Sequence, residues 1–306
     1  MENYQAVFKR KEIKYLLSSE ERNALLPILE TCMEPDAFAH SSISNLYYDT
    51  PDFRMVRRSL EKPMYKEKLR LRSYGTPENT STVFPEIKKK AMGIVYKRRI
   101  SLPYQEAVSF LSGQQIASTD TCDGTTQQIA STDMCDGTTR QILHELDWML
   151  ASYKDLSPRV FLSYERDSYK GISDPSLRLT LDQDILFRTD RLDLREGTFG
   201  EAILLPDQTL MEVKISNAAP LWLAQALSEI GIFPVSFSKY GRAYERIRRD
   251  PRWRKEMNGH TEIDAHTKIN GHAEIDAHTK INGHAEIDAH TKINEHAKEM
   301  EMKRYA

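Results

Sequence analysis

Residues 66–72 read KEKLRLR, and the alternation in this segment decides the fold class. Every second residue from Lys66 to Arg72 carries a positive charge, and Leu69 and Leu71 lie between charged positions. Alternate side chains of a β-strand point to opposite faces of the sheet. The segment therefore predicts a strand with one cationic face and one apolar face.

The same period of two recurs along the chain. Seven further segments show it, at residues 8–17, 42–49, 83–90, 93–102, 159–169, 177–185 and 209–216. Helices are predicted between the strands, at residues 18–30, 103–111, 141–153, 217–231 and 240–249. The first helix begins with a capping box, Ser18 to Glu21. This order of elements predicts an α+β domain.

The charged strand faces indicate how the sheet is arranged. For a single strand, water is the ordinary cover of a charged face. Lys and Glu are depleted in strands, however, and five of these segments align two or more charges. A closed antiparallel sheet directs such faces into a shared lumen, and helices cover the apolar outer face. We therefore predict a closed eight-stranded antiparallel β-barrel tunnel with helices packed outside.

A lumen rich in Arg and Lys needs a counter-charge, because burial of an unpaired cation costs several kcal/mol. Arg offers a bidentate fork and Lys a point charge, and both suit phosphate. The expected ligand is therefore a polyanion. The roles of two groups of residues stay open. Glu212 and Lys214 share a face and could form a mutual salt bridge. Lys97, Arg98 and Arg99 are consecutive and must divide between the two faces.

Composition excludes several classes of protein. The 306 residues carry 43 Lys and Arg against 45 Asp and Glu, so a general nucleic-acid binder is not indicated. Three cysteines without a CxxC pair exclude a disulfide framework and a cysteine zinc site. We find no signal-peptide pattern and no run of about 20 apolar residues. A cytoplasmic protein without membrane insertion is expected.

Two sets of tandem repeats set the domain boundaries. Residues 115–127 are copied at 128–140, and a polar 12-residue unit recurs from Asn258. We predict one domain over residues 1–257, with a repeat loop insertion at 115–140, and a mobile or weakly helical tail over 258–306. The tail histidines are spaced six apart, which places them on different faces of a helix and disfavours a metal site.

Several motifs, in order, resemble a known family. They are EKLRLR at 67–72, PEIKKK at 85–90, LSYERDSY at 162–169, LRLTLDQDI at 177–185, MEVKIS at 211–216 and SFSKYGRAY at 236–244. Together they resemble the VTC domain of polyphosphate polymerases, within the CYTH-like triphosphate tunnel metalloenzymes. The resemblance covers about residues 8–248 and implies a tunnel that binds ATP, polyphosphate or triphosphate together with Mg²⁺ or Mn²⁺.

The resemblance and the shared strand faces also imply roles for individual residues. The catalytic groups would be Arg70, Arg72, Lys88, Arg166, Arg178 and Lys239. The substrate-binding groups would be Lys14, Glu12, Lys68, Glu86, Tyr164, Lys214 and Ser238. The metal ligand would be Glu212.

The implied activity is that of a phosphotransferase: an ATP-dependent polyphosphate polymerase that transfers the terminal phosphoryl group of ATP to a growing chain. Two alternatives remain, a metal-dependent triphosphate hydrolase and a non-catalytic polyphosphate-binding module. The segment KRKEIKY at residues 9–15 is less acidic than the ExExK strand of the hydrolytic relatives. This departure favours synthesis over hydrolysis.

Overall fold

A computed structural model of the chain describes residues 11–92, 94–114, 137–216 and 218–251. The strands are β1 Lys11–Leu17, β2 Met33–Asp49, β3 Tyr65–Tyr74, β4 Thr82–Ala91, β5 Ile94–Arg99, β6 Leu102–Pro103, β7 Ser157–Gly171, β8 Arg178–Arg188, β9 Glu201–Ala202 and β10 Thr209–Ile215. The helices are α1 Ser19–Cys32, α2 Arg54–Leu60, α3 Tyr104–Leu111, α4 Gly137–Ser152, α5 Leu221–Ile230 and α6 Lys239–Arg249. The α+β class is therefore confirmed.

Each of the eight predicted strand segments contains a strand of the structure, and the five predicted helices are present. Ser18 caps α1 in a capping box with Glu21, as predicted. Helix α2 and the short strands β6 and β9 were not predicted. Helix α5 begins at Leu221, later than predicted. Most of the repeat insertion (115–136) and the whole predicted tail (258–306) lie outside the described residues.

The eight long strands form one antiparallel sheet in the order β1-β10-β8-β7-β2-β3-β4-β5. Strand β6 pairs with β4, and β9 pairs with β8. Within the described ranges β1 and β5 are the two edges, so the sheet is not closed and a closed barrel is not confirmed. Closure needs a hydrogen-bonded ladder between these edges, and β5 is only six residues long.

The sheet is nevertheless strongly curled. Strands β3 and β10 are four positions apart, which is roughly 19 Å in a flat sheet. Two consecutive residues bridge them: Lys68 of β3 donates to Ser238 Oγ at 3.2 Å, and Lys239 Nζ donates to Glu212 of β10 at 3.1 Å. One face of the sheet is therefore concave, and we call it the inner face.

The opposite, outer face is apolar and covered by helices. Leu69, Leu71 and Ile87 pack with residues of α3 and α4 in one buried cluster. Met211 and Val213 belong to a second cluster, which α1 and α5 cover. Burial of each such side chain contributes about 1.5–3 kcal/mol, so the outer face supplies most of the drive to fold. The predicted division of faces is present.

Because both clusters lie within residues 11–251, a chain ending at Met257 should fold as the full chain does. We expect the same cooperative unfolding midpoint for both in a thermal melt followed by circular dichroism. Leu71→Ala provides the positive control, since loss of this fully buried side chain should cost about 2–5 kcal/mol. A clear drop in the midpoint after truncation would contradict the predicted boundary.

Candidate functional site

The fourteen residues predicted for the site all lie along the inner face or at the start of α6. The register shows it: Lys14 pairs with Glu212, and Glu12 pairs with Lys214. On the other half of the sheet Arg70 pairs with Glu86. The remaining residues occupy the same rows or the start of α6; they are Lys68, Arg72, Lys88, Tyr164, Arg166, Arg178, Ser238 and Lys239.

Glu86 is the centre of one half of the inner face. Its carboxylate is 2% exposed and accepts from Arg70 Nε at 2.8 Å and Nη2 at 2.5 Å. Lys97 Nζ lies 3.0 Å from the other carboxylate oxygen. Burial alone would raise the pKa of Glu86, but Arg70, Arg72 and Lys97 lower it to about 2. This carboxylate therefore remains ionised and holds several cations in place.

Asp182 and Glu212 form the centre of the other half. Asp182 is fully buried and accepts a bidentate pair from Arg166, at 2.6 and 2.7 Å. Lys239 donates to both carboxylates. Sequence reasoning gave Asp182 no role, although its alternation with Thr180 and Arg178 places it on the charged face. Two buried acids thus share one buried ammonium.

The contacts of Glu212 show whether it forms a salt bridge with Lys214. Lys14 Nζ lies 3.2 Å from its carboxylate and Lys239 Nζ 3.1 Å away. Arg166 Nη2 lies 3.8 Å from the other carboxylate oxygen. Within the described residues these three cations, and not Lys214, form the ion pairs of Glu212. Burial would raise the pKa of Glu212, but Lys239, Lys14 and Arg166 hold it well below its usual range.

Tyr164 connects the two halves. Its hydroxyl accepts from Arg72 Nη2 at 3.2 Å, and its ring lies under Lys239, 4.5 Å from Nζ to the centroid. Arg72 also donates to Asn45 Oδ1 at 3.0 Å, and Arg70 donates to the hydroxyl of Tyr47 at 3.2 Å. Asn45 and Tyr47 were missed from sequence because they carry no charge.

The remaining predicted residues lie towards the ends of the inner face. Arg178 pairs with Asp36, on the irregular stretch of β2 between Pro35 and His40. Lys88 is exposed. Ser238 caps α6 by accepting from the backbone N–H of Gly241 at 3.1 Å.

The run of three cations in β5 divides between the faces, as predicted. Lys97 and Arg99 point towards Glu86, at 3.0 and 3.9 Å. Arg98 points outwards and lies 3.7 Å from Glu145 of α4. Lys97 and Arg99 are therefore additional inner-face cations that had no predicted role in the site.

One part of the inner face offers ligands that suit a divalent cation. The carboxylates of Glu12 and Glu212 both contact Lys14 Nζ, at 3.3 and 3.2 Å. The hydroxyl of Thr180, opposite Glu212, is buried and has no hydrogen-bond partner among the described residues. No group of three or more His, Cys, Asp or Glu side chains suited to a metal occurs in the described part of the chain. Mg²⁺ commonly binds through one or two carboxylates plus substrate phosphates, so the residues fit a metal that arrives with phosphate.

Comparison with family models agrees with the resemblance seen in the sequence. The model of the VTC domain family matches residues 9–248. A proposed adenylate cyclase from Bacillus halodurans is 18% identical, with a TM-score of 0.43, over 75% of this chain and 95% of that one. A proposed adenylyl cyclase from Hippeastrum, which has a dominant triphosphatase activity, is 15% identical, with a TM-score of 0.43, over 75% and 92%. No curated protein matches the chain.

The helices of the described residues include none with the length and hydropathy needed to span a membrane.

The Glu86 centre generates a prediction about stability and pH. A depressed pKa means that Glu86 stabilises the fold above its unfolded value of about 4.5 and loses this contribution as the pH falls towards 2. Glu86→Gln should therefore lower the free energy of unfolding by about 3 kcal/mol at pH 7, and the deficit should shrink between pH 4.5 and 2. Urea unfolding across this range measures it.

Glu245→Gln is the matched control, because the one ion pair of Glu245 within the described residues is an exposed pair with Arg242. Its effect should stay within about 1 kcal/mol. An equal effect of the two substitutions, or a deficit for Glu86→Gln that does not depend on pH, would contradict this role of Glu86.

Proposed function

The chain belongs to the VTC domain family, and from this we propose that it transfers the terminal phosphoryl group of ATP to a growing polyphosphate chain on the inner face of its sheet. The observation that carries the proposal is the set of cations from seven long strands and α6 on one concave face, several of them fixed by buried carboxylates. We propose that the strands enclose the substrate as a closed tunnel, that residues 1–257 suffice, and that the enzyme is cytoplasmic.

Preorganised charge is what this chemistry requires. Phosphoryl transfer needs little covalent participation by the protein, and catalysis depends on positioning and charge stabilisation. Arg70 and Arg166 are each held by a carboxylate at hydrogen-bond distance, so neither has to be ordered when the substrate arrives. Charge can therefore develop on the transferring group in a site that is already arranged for it.

The residues have distinct proposed roles. The cations that contact the transferring group are Arg70, Arg72, Lys88, Arg166, Arg178 and Lys239. The side chains that orient the rest of the substrate are Glu12, Lys14, Lys68, Glu86, Tyr164, Lys214 and Ser238. Glu12 and Glu86 act through the cations that they hold, since carboxylates repel phosphate directly.

Glu212 would hold Mg²⁺ or Mn²⁺, and Glu12 lies beside it. When bound there, the metal would neutralise charge on phosphoryl oxygens. Lys14 contacts both carboxylates, so it has to move its ammonium group away from them to admit the metal. The negative charge of the substrate favours this exchange, because it offers Lys14 another counter-charge.

The products formed from ATP and Mn²⁺ should distinguish the proposed function from its alternatives. We expect long polyphosphate chains and ADP, separated by gel electrophoresis and anion exchange. Orthophosphate without chains would instead identify a triphosphate hydrolase. Tight binding of triphosphate without turnover would identify a binding module.

Glu212→Gln should separate binding from turnover. We expect triphosphate to bind at least as tightly as to the parent, because the cations remain, while metal-dependent turnover falls by about 100-fold or more. Calorimetry and a Mn²⁺ titration of the rate on the same variant measure both. Glu34→Gln, at a half-exposed pair with Lys170, is the control and should change neither. Unchanged metal-dependent turnover in Glu212→Gln would refute the assignment.

A further inference from the structure

Two like-charged pairs lie next to each other on the inner face. In the β3–β4 ladder Lys68 is directly opposite Lys88, and Lys66 is directly opposite Lys90. We call these four residues the lysine ladder. Like charges directly opposite each other on a sheet are destabilising. The fold therefore carries a local electrostatic cost at this position, twice in succession.

The lysine ladder differs from the neighbouring cations in having no acidic partner. Arg70, two residues beyond Lys68 on the same strand, pairs with Glu86. Lys68 donates instead to Ser238 Oγ at 3.2 Å, and Lys66 to the carbonyl oxygen of Ser59 at 3.1 Å. No carboxylate of the described residues forms an ion pair with any member of the ladder.

The repulsion is reflected in the titration of two members. Burial, together with Lys88 and Lys66, lowers the pKa of Lys68 to about 8, although Tyr47 opposes the shift. Burial, followed by the charges of Lys90, Lys62 and Lys88, also lowers the pKa of Lys66. The ladder thus keeps its ammonium groups close together, and none of them forms an ion pair with an acid of the described residues.

The lysine ladder has an inner end and an outer end. Its inner end is near the Glu212 centre, since Lys14 is within electrostatic range of Lys68. Its outer end reaches α2 through the contact of Lys66 with Ser59, and Lys62 follows two residues after that helix. The ladder therefore leads from the centre of the inner face towards its rim.

We infer that the outer pair of the lysine ladder, Lys66 and Lys90, holds the part of a polyphosphate chain that extends beyond the phosphates bound near Lys68 and Lys88. This inference rests on the proposed function and adds a second section to the same site. A polyanion would offset the repulsion between the two pairs, and a chain that carries a charge on every unit matches a row of cations. Short ligands would end before reaching Lys66 and Lys90.

The choice of lysine fits a chain that has to move. Arg binds oxygens through a rigid fork, as Arg166 does with Asp182, and so fixes a geometry. The Lys ammonium is a hydrated point charge on a flexible stem, which attracts phosphate without fixing its register. A growing chain shifts by one unit after each addition, and a lysine row permits this shift.

The test is the double variant Lys66→Gln/Lys90→Gln, which removes the outer pair and leaves the proposed catalytic residues intact. Affinity is measured by calorimetry for inorganic triphosphate and for polyphosphate of about 100 units, at several salt concentrations. We expect the affinity for the long chain to fall by about tenfold or more, with a shallower salt dependence, because fewer counter-ions are released. The affinity for triphosphate should stay within about twofold.

Lys89→Gln is the matched control. Lys89 lies between Lys88 and Lys90 in sequence but points to the outer face, where it pairs with Glu145 at 3.0 Å. This variant removes one charge from the same strand and should change neither affinity. The double variant should be at least as resistant to thermal unfolding as the parent, since it loses a repulsion, and a melt verifies that it is folded.

Several results would overturn the inference. The first is that the double variant binds the long chain as tightly as the parent does. The second is that it loses the same affinity for triphosphate as for the long chain. The third is that a single-stranded oligonucleotide of the same charge binds the parent as tightly as polyphosphate does and loses affinity equally in the double variant. The first two would mean that the ladder is solvated or belongs to the triphosphate site, and the third that it is a general polyanion surface. If the parent fails to bind triphosphate, the proposed function itself fails. If triphosphate binds but chain length has no effect, only the ladder assignment fails.

Discussion

Three buried carboxylates, Glu86, Asp182 and Glu212, make the inner face possible. Without them, the cations of seven strands would repel one another across a curled sheet, and each buried positive charge would be uncompensated. Each acid lies between cations from different elements, so it balances charge and fixes distances at the same time. The positions of these three acids therefore decide which inner-face cations are paired and which are left to bind a ligand.

Stability and chemistry are therefore divided between the two faces of one sheet. The outer face packs Leu, Ile, Val and Met side chains against four helices and supplies the hydrophobic drive to fold. The inner face adds little net stability, because its intact ion pairs roughly offset their own desolvation, although removal of one partner leaves the other charge buried and uncompensated. Arg70 of β3 points to the inner face and Lys89 of β4 to the outer face, so the two cations contribute to different functions. Alternation along each strand decides which face a side chain reaches.

Much of this arrangement could be predicted, because alternation is a local property. The eight strands, the charged face and the VTC family were all found from segments such as 66–72, and the structure and the family match confirm them. Helix α2 was missed because its N-terminus depends on Asp49, whose carboxylate accepts from the backbone of Met55 and Val56. Alternation does not encode contacts between strands that are distant in sequence. The ion pairs of Asp182 and Glu86 depend on such contacts, and so does the absence of pairing between the described edge strands β1 and β5.

The two consecutive residues that bridge β3 and β10 have a consequence for how this sequence can vary. Ser238 contacts one side of the curled sheet and Lys239 the other, so the backbone at this point has to direct two consecutive side chains to different strands. An inserted or deleted residue here would turn one side chain away from its partner, whereas a surface loop accepts a change of length at small entropic cost. During evolution the spacing at this point should therefore be preserved more strictly than the identity of either residue.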